Sequence, residues 1–480
     1  MKNSPPYDNI IIGSGVAGSL IAKRLTANRK SVLLIEAGDE FDPEQSIVKS
    51  IFSNYWNGGI LPMMGPFNVP FGQAKVLGGG SIINGALFWR LPEKIRLKWS
   101  SEFPDSVYAS PDWVRVETSL LAEYGVSSQH ESYNLGNEAS KILSNAAFAR
   151  DFSVLSAPRA VDSCKNMNRC GSGCPSNAKN DAVKVALREN DYLNISTGST
   201  VRKLQNEKGC WSVSFKQRDQ IRKAYAKRVI LSAGATESAN ILRNSKLSTN
   251  AGDYFQFHLN FKLAAKFRNK IDPSYGTILS EQVQEFMDEG ILMMSTNCRR
   301  SYLASSLSHL PPADISKYLS QYSNMGLFTV MVRPDVKAKV RSLFGQTVCF
   351  WSWTEESFER VKKAINLLAD LLFDGGAEEV VLPVKNETSI TSDKKHVLKV
   401  LQKIRPEELL GVSVHGMSAC KMGSDEGASV VDLSGRVWGQ ENLYVMDSSI
   451  LPGAIGESPQ GAILTTVDML VRGFESAHYQ

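Results

Sequence analysis

The sequence predicts a two-part protein: an α/β, Rossmann-like nucleotide-binding unit joined to an α+β unit built on an antiparallel sheet. Three observations carry that prediction. A strand, a G-x-G-x-x-G turn, a helix and a second strand ending in an acid follow one another in "YDNIIIGSGVAGSLIAKRLTANRKSVLLIEAGD". Residues 263 to 411 alternate apolar strands with a long amphipathic helix. The chain has 480 residues, 42% hydrophobic and 21% charged, which suits two or more globular domains.

Composition narrows the function classes. A net charge of +5 is spread over short clusters such as Arg222 to Arg228. These read as solvated faces, so no nucleic-acid partner is expected. No unbroken apolar stretch reaches the roughly 18 residues that span a bilayer, and the chain is not itself expected to be transmembrane. The opening "MKNSPPYDNIIIGSG" has no separate apolar core before a cleavage site. A cytoplasmic protein is therefore expected, periplasmic only if exported with a signal-bearing partner. Seven cysteines, an odd count, argue against a secreted disulfide framework.

The elements follow in chain order. Asn9 to Ile12 is a short apolar run suited to a buried parallel strand. Gly13 then permits the turn, Gly15 lets the backbone approach a pyrophosphate, and Gly18 lets the helix pack close to the strand. The helix N-terminus offers its unpaired amides to the phosphates. Ser31 to Ile35 is the second strand, and Glu36 beyond it can bind both ribose hydroxyls. This unit alone does not separate NAD from FAD. "KVLGGGSIINGALFWR", Lys75 to Arg90, is a second glycine-rich loop that brings backbone against another part of the cofactor.

Three further blocks are "RVILSAGATESANILRNS", "FDGGAEEVVLP" and "VHGMSACKMG…VVDLSGRVWGQENLYVMDSSILP". With the opening motif, these closely resemble the glucose–methanol–choline (GMC) family of FAD-dependent alcohol oxidoreductases, from residue 7 to about residue 470. The resemblance implies FAD. It places Gly78, Gly79, Ser81 and Asn84 against the flavin or its diphosphate, and the Val201 backbone at the adenine. It also puts Asp447 near the ribityl or pyrophosphate region, and Gly461 at the start of a final helix aimed at the flavin's pyrimidine edge. Ile83 stands where some members carry a flavin-linked histidine, so the FAD is expected to be non-covalent.

The resemblance makes His415, in "HGMSACKMG", the base that takes the hydroxyl proton while hydride leaves carbon for the flavin. A histidine titrates near neutral pH and can do this without large tuning. The competing reading is a buried structural histidine. Where the family places His or Asn before the last helix, this chain reads "GESPQGAIL". Ser458 there can donate a hydrogen bond to an alkoxide but cannot act as a base at neutral pH. Ser458 followed by Pro459 also suits a helix cap, and Glu457 is an alternative polar group. His258 falls in a family Asp-His position whose aspartate is Phe257 here, which favours a structural role. Trp351 and Trp353 alternate on a strand, suited to core packing or to stacking on a sugar.

Cys164, Cys170 and Cys174 are spaced C-x5-C-x3-C and followed by Pro175. Structural zinc wants four ligands, and a disulfide would strand one thiol. Structural or redox-active thiols, zinc completed from elsewhere, and an iron–sulfur cluster with three protein anchors all remain open on spacing alone. The segment through Lys179 and Asp181 closely resembles flavoprotein subunits of bacterial gluconate, glucose and fructose dehydrogenases. That resemblance implies a [3Fe-4S] cluster on these three cysteines, and electrons leaving singly for a partner such as a cytochrome or small subunit. The remaining cysteines read as core packing.

The expected organisation is a first FAD-binding part (1–95), a cap and cofactor loop with the cysteines (96–180), a second FAD-binding part (181–262), a substrate-binding domain (263–411), and a carboxy-terminal FAD-binding part (412–480). The expected activity is oxidation of a sugar- or polyol-like hydroxyl. Its rivals are an oxidase that reduces oxygen without a cluster, and a flavin-binding or lyase-like protein with little redox turnover.

Overall fold

The computed structural model describes residues 6–128, 138–296, 298–385 and 389–476. The nucleotide-binding unit is built on five parallel strands in the order Leu193–Ser196, Val32–Ile35, Tyr7–Ile12, Gln220–Leu231, Leu443–Val445. Register aligns their carboxyl ends: Ser196 lies beside Ile35, Ile35 beside Ile12, Ile12 beside Leu231 and Leu231 beside Val445. Val32–Ile35 is buried throughout, as is the run Asn9–Ile12. Strands covered on both faces need such unbroken apolar runs. The first half of Gln220–Leu231 instead pairs antiparallel with Cys210–Gln217, which continues to Ser199–Glu207.

The second unit is an eight-stranded, antiparallel sheet centred on Leu259–Phe267 and Met325–Val332. Helix Glu355–Asp374 backs it with Phe358, Val361, Ile365, Leu368 and Leu372, at the three- and four-residue spacing of one helix face. Thr354 caps its start by accepting from Ser357 N, and Gly376, at φ +88°, follows its end. A separate four-stranded sheet joins Val336–Leu343 and Gln346–Trp353 to Leu61–Met64 and Val69–Phe71. Trp351 and Trp353 pack there against Phe67, with ring centroids 5.3 and 5.6 Å away. Neither lines the main cavity, so core packing accounts for both.

Strands cross the segment boundaries drawn from the motifs. Leu259–Phe267 spans the expected break at 262, Val154–Ser156 lends an edge strand to the antiparallel sheet, and Leu61–Phe71 pairs with the 336–353 hairpin. Motif ends report ligand contacts, not where a strand stops. No described helix is long and apolar enough to cross a membrane.

Candidate active site

A cavity of about 530 Å³ opens at the carboxyl ends of the parallel strands and runs up to the antiparallel sheet. Ligands of open α/β sheets bind at that end because the loops and helix N-termini converge there.

The lower part is a phosphate cradle. Gly13 sits at φ +99°, and a Cβ on it would overlap the Ser232 carbonyl oxygen. Gly18 packs helix Val16–Ala27 onto the turn, since a Cβ there would overlap the Gly13 carbonyl. Gly15 and Gly80 face open space in the cavity, with nothing within 4 Å of a built Cβ. That clearance at a helix N-terminus is what a pyrophosphate needs, so these residues fit a dinucleotide. Ser14 organises the turn: its N and Oγ donate to Glu36 Oε2 at 2.9 and 2.6 Å, and its Oγ accepts from Gly78 N at 2.9 Å. Gly38 N donates to Glu36 Oε1 at 2.8 Å. Burial raises the Glu36 carboxyl above the usual range, and these hydrogen bonds oppose the rise. Glu36 and Val201 both line the cavity, where ribose and adenine are expected.

Gly79, Ser81, Asn84 and Asp447 also line it. Asp447 is fully engaged by protein: Oδ2 accepts from Gly234 N and Ser238 Oγ, and Oδ1 from Ser449 N and Ser449 Oγ. Its side chain therefore positions backbone around the cofactor site. Gly78 and Gly461 do not line the cavity. Gly78 lies against Val183 and Ile82, and Gly461 lets the helix Gln460–Ser476 approach the Trp89 carbonyl. Their small size serves packing. That helix starts at Gln460, with Ile463 N donating to Pro459 O, so Pro459 sits one position before the expected place.

The upper part gathers the polar chemistry. His415, Glu457 and Ser458 all line the cavity. His258 is fully buried, and its Nδ1 lies 3.1 Å from His415 Nδ1. Its Nε2 accepts from Gly456 N at 3.0 Å. Burial, with help from His415 and Arg333, holds His258 well below the ordinary histidine range. Burial brings His415 down to about 4. Glu457 is 2% exposed, accepts from Ser458 N at 2.7 Å and from Gln284 Nε2 at 3.3 Å, and is pushed up to about 8 by burial. Among the described residues no cation pairs with it. The cavity roof adds Asn260, whose Nδ2 has no hydrogen-bond partner, and Lys262, whose ammonium lies 5.7 Å from the Tyr302 ring centre.

Cys164, Cys170 and Cys174 line a second, small cavity of about 30 Å³ together with Arg159 and Lys179. All three are free thiols. Lys179 is 3% exposed and donates to the carbonyls of Ile82, Asn84 and Cys170 at 2.5, 2.9 and 3.2 Å. It thus ties the cysteine loop to the glycine-rich loop of the main cavity. Gly171, between the cysteines, lines that main cavity and accepts a hydrogen bond from Tyr55. Burial raises the Cys170 thiol, whereas hydrogen bonds and Lys179 bring Cys174 down despite its own burial. Among the described residues no three His, Cys, Asp or Glu side chains are spaced to hold a single metal ion.

His415 and Ser458, candidates from the sequence, both lie on the cavity wall; the His258–His415 contact and the place of Asn260 and Lys262 on that wall were not legible there. Period-two placement on one strand was the available signal for the last pair, because residues 260 and 262 share a face of Leu259–Phe267.

Comparison with known proteins agrees with this geometry. Family models described as GMC oxidoreductase match residues 7–260 and 346–466. An uncharacterized GMC-type oxidoreductase of Sinorhizobium fredii is 26% identical over 478 residues, covering 95% of this chain and 92% of that one. A long-chain-alcohol oxidase of Arabidopsis thaliana is 23% identical, covering 96% of this chain and 66% of that one. The crystal structure of pyridoxine 4-oxidase from Mesorbium loti superposes with a TM-score of 0.75 at 18% identity, over 98% of this chain and 99% of that one.

Proposed function

The chain belongs to the GMC oxidoreductase family, FAD-dependent oxidoreductases acting on CH–OH groups, and we propose that it is a dehydrogenase for sugar- or polyol-like hydroxyls. The observation that carries this reading is one continuous cavity lined at one end by the Gly13–Glu36 cradle and at the other by His415, Glu457 and Ser458.

When bound, FAD supplies a two-electron acceptor for the hydride leaving the substrate carbon. The protein's own residues do the rest. With FAD bound, Gly15 and Gly80 would leave its phosphates room, Gly13 would hold the turn beneath them, and Glu36 would accept from its ribose. Ile83 lines the cavity with a hydrocarbon side chain that can form no bond to the flavin, which supports non-covalent binding. His415 engages the substrate hydroxyl oxygen. Asn260 and Lys262, with Thr296, Thr329 and Gln282, set hydrogen-bonding groups among Met294, Met331 and Ile278 in the roof. Donors left without protein partners favour an oxygen-rich substrate over a plain hydrocarbon chain.

The acceptor reading rests on the thiols. Cys164, Cys170 and Cys174 would hold a [3Fe-4S] cluster, and electrons would leave for a one-electron carrier protein. Three sulfur donors lining one cavity beside Arg159, Lys165, Arg169 and Lys179 suit an anionic cluster. Their spacing does not suit a single ion, and the cavity is small, so the thiolates would have to part around the cluster as it forms. Anaerobically purified protein is expected to contain about three irons and about four acid-labile sulfides per chain. Reduced enzyme should then reoxidise faster with ferricyanide than with air-saturated buffer. Protein without iron that reoxidises fastest in oxygen would make it an oxidase.

A further inference from the structure

We propose that Glu457 receives the substrate's hydroxyl proton, and that His258 fixes His415 as a hydrogen-bond donor to the same oxygen. This assignment rests on the hydroxyl-oxidation reading and specifies its proton path, which reverses the role the resemblance gives His415.

The backbone N–H of Gly456 can only donate, and it points at His258 Nε2, 3.0 Å away. That nitrogen must therefore carry a lone pair. His258 is neutral in its buried site, so its single proton sits on Nδ1. His258 Nδ1–H then donates across 3.1 Å to His415 Nδ1. With its Nδ1 occupied as an acceptor, neutral His415 carries its own proton on Nε2. His415 Nε2 has no protein partner among the described residues, and the ring lines the cavity. What His415 offers the substrate is an N–H, not a lone pair. Reversing both tautomers would set a His258 Nε2–H against the Gly456 N–H, two donors in contact inside the protein, which burial makes costly.

A donor cannot remove the hydroxyl proton, so the acceptor must lie elsewhere. Ser458 is no base at neutral pH. Four carboxylates line the cavity among the described residues: Glu36 belongs to the cradle, Asp447 is fully engaged, Glu237 accepts from the Thr347 hydroxyl at 2.6 Å, and Glu457 adjoins the histidine pair. Glu457 directly follows the Gly456 amide that touches His258, it is buried, and it has no counter-ion among the described residues. Its hydrogen bonds from Ser458 N and Gln284 hold it in place and leave lone pairs for a substrate. The balance is complete. The O–H proton goes to Glu457, the C–H hydrogen leaves with its electron pair as the hydride that FAD accepts, and a carbonyl compound remains. His415 Nε2–H holds the oxygen throughout.

The two assignments give different pH profiles. Groups near Glu457 that carry or change charge are His258 and His415, both held below the ordinary histidine range by burial, and the Arg333 guanidinium beside Gly456. Gln284 and Gln460 do not titrate. With a base that ionises at about 8, flavin reduction rises with pH below that value and levels off above it. With His415 as base, depressed to about 4, the rate is flat across neutral pH.

The test pairs anaerobic stopped-flow reduction of the holoenzyme with nitrogen-15 spectra of histidine-labelled protein, in wild type and Glu457→Gln. Wild type is expected to gain about tenfold per pH unit up to about 8. Glu457→Gln should be at least about a hundredfold slower above that pH, with no rise, while binding FAD normally. His415 should show a bare Nδ1 and a protonated Nε2, a readout independent of turnover. A flat wild-type profile, a Glu457→Gln enzyme with wild-type rate and profile, or a proton on His415 Nδ1 overturns the assignment and leaves alcohol oxidation intact. Failure of every hydroxyl compound to reduce the wild type overturns both together.

Discussion

Replacing His415 by alanine is expected to slow anaerobic flavin reduction by roughly a hundredfold or more while FAD stays bound. The imidazole lines the cavity with Glu457 and Ser458, apart from Gly13, Gly15 and Glu36, which are proposed to take the phosphates and ribose. Losing it removes a group that holds the oxygen on which charge develops, and such interactions act mainly in the transition state. His258 would also lose the acceptor for its Nδ1–H, at a cost of about 1–3 kcal/mol for a buried unpaired donor. A modest fall in melting temperature should therefore accompany the rate loss. Flavin content and the reduction rate, measured on the same preparation, check the result. A normal rate would remove His415 from the reaction.

The second large effect is on the cofactor itself. Gly13→Ala should yield protein that purifies without flavin. The native φ of +99° is unfavourable for alanine, and its methyl group would overlap the Ser232 carbonyl just past the neighbouring strand. Backbone strain of this kind costs about 1–3 kcal/mol, and the strand must shift besides. Because Gly13 N also donates to Ile35 O at 2.8 Å, the displacement reaches the loop that carries Glu36. The check is the flavin absorbance per chain after gel filtration. Stoichiometric FAD in the variant would mean that the turn is not what the cofactor binds.

The parts legible in the sequence were those in which chemistry is local. Strand, glycine turn, helix and acid lie within about thirty residues of each other, and Gly13, Gly15 and Glu36 line the cavity together. Cys164, Cys170 and Cys174 likewise share one small cavity. Contacts across the chain were not legible. The His258–His415 pair joins residues from different blocks, and nothing near "QFHLNF" signals its partner. Glycine was ambiguous for a related reason: small size serves either a ligand or a neighbouring backbone. Gly15 serves the first and Gly461 the second, although both sit in motif positions. Glu457 was visible as a residue, but only its burial and the lack of a counter-ion among the described residues distinguish it from a solvated loop carboxylate.

The proposed function requires that a hydroxyl compound can give up hydride inside the shared cavity. The most direct test is an anaerobic titration of the flavin-containing protein with a panel of sugars, polyols and hydroxy acids, followed at the flavin absorbance. At least one member is expected to bleach the flavin stoichiometrically and leave the corresponding carbonyl product. A flavin that dithionite bleaches, yet no hydroxyl compound does, would contradict the account.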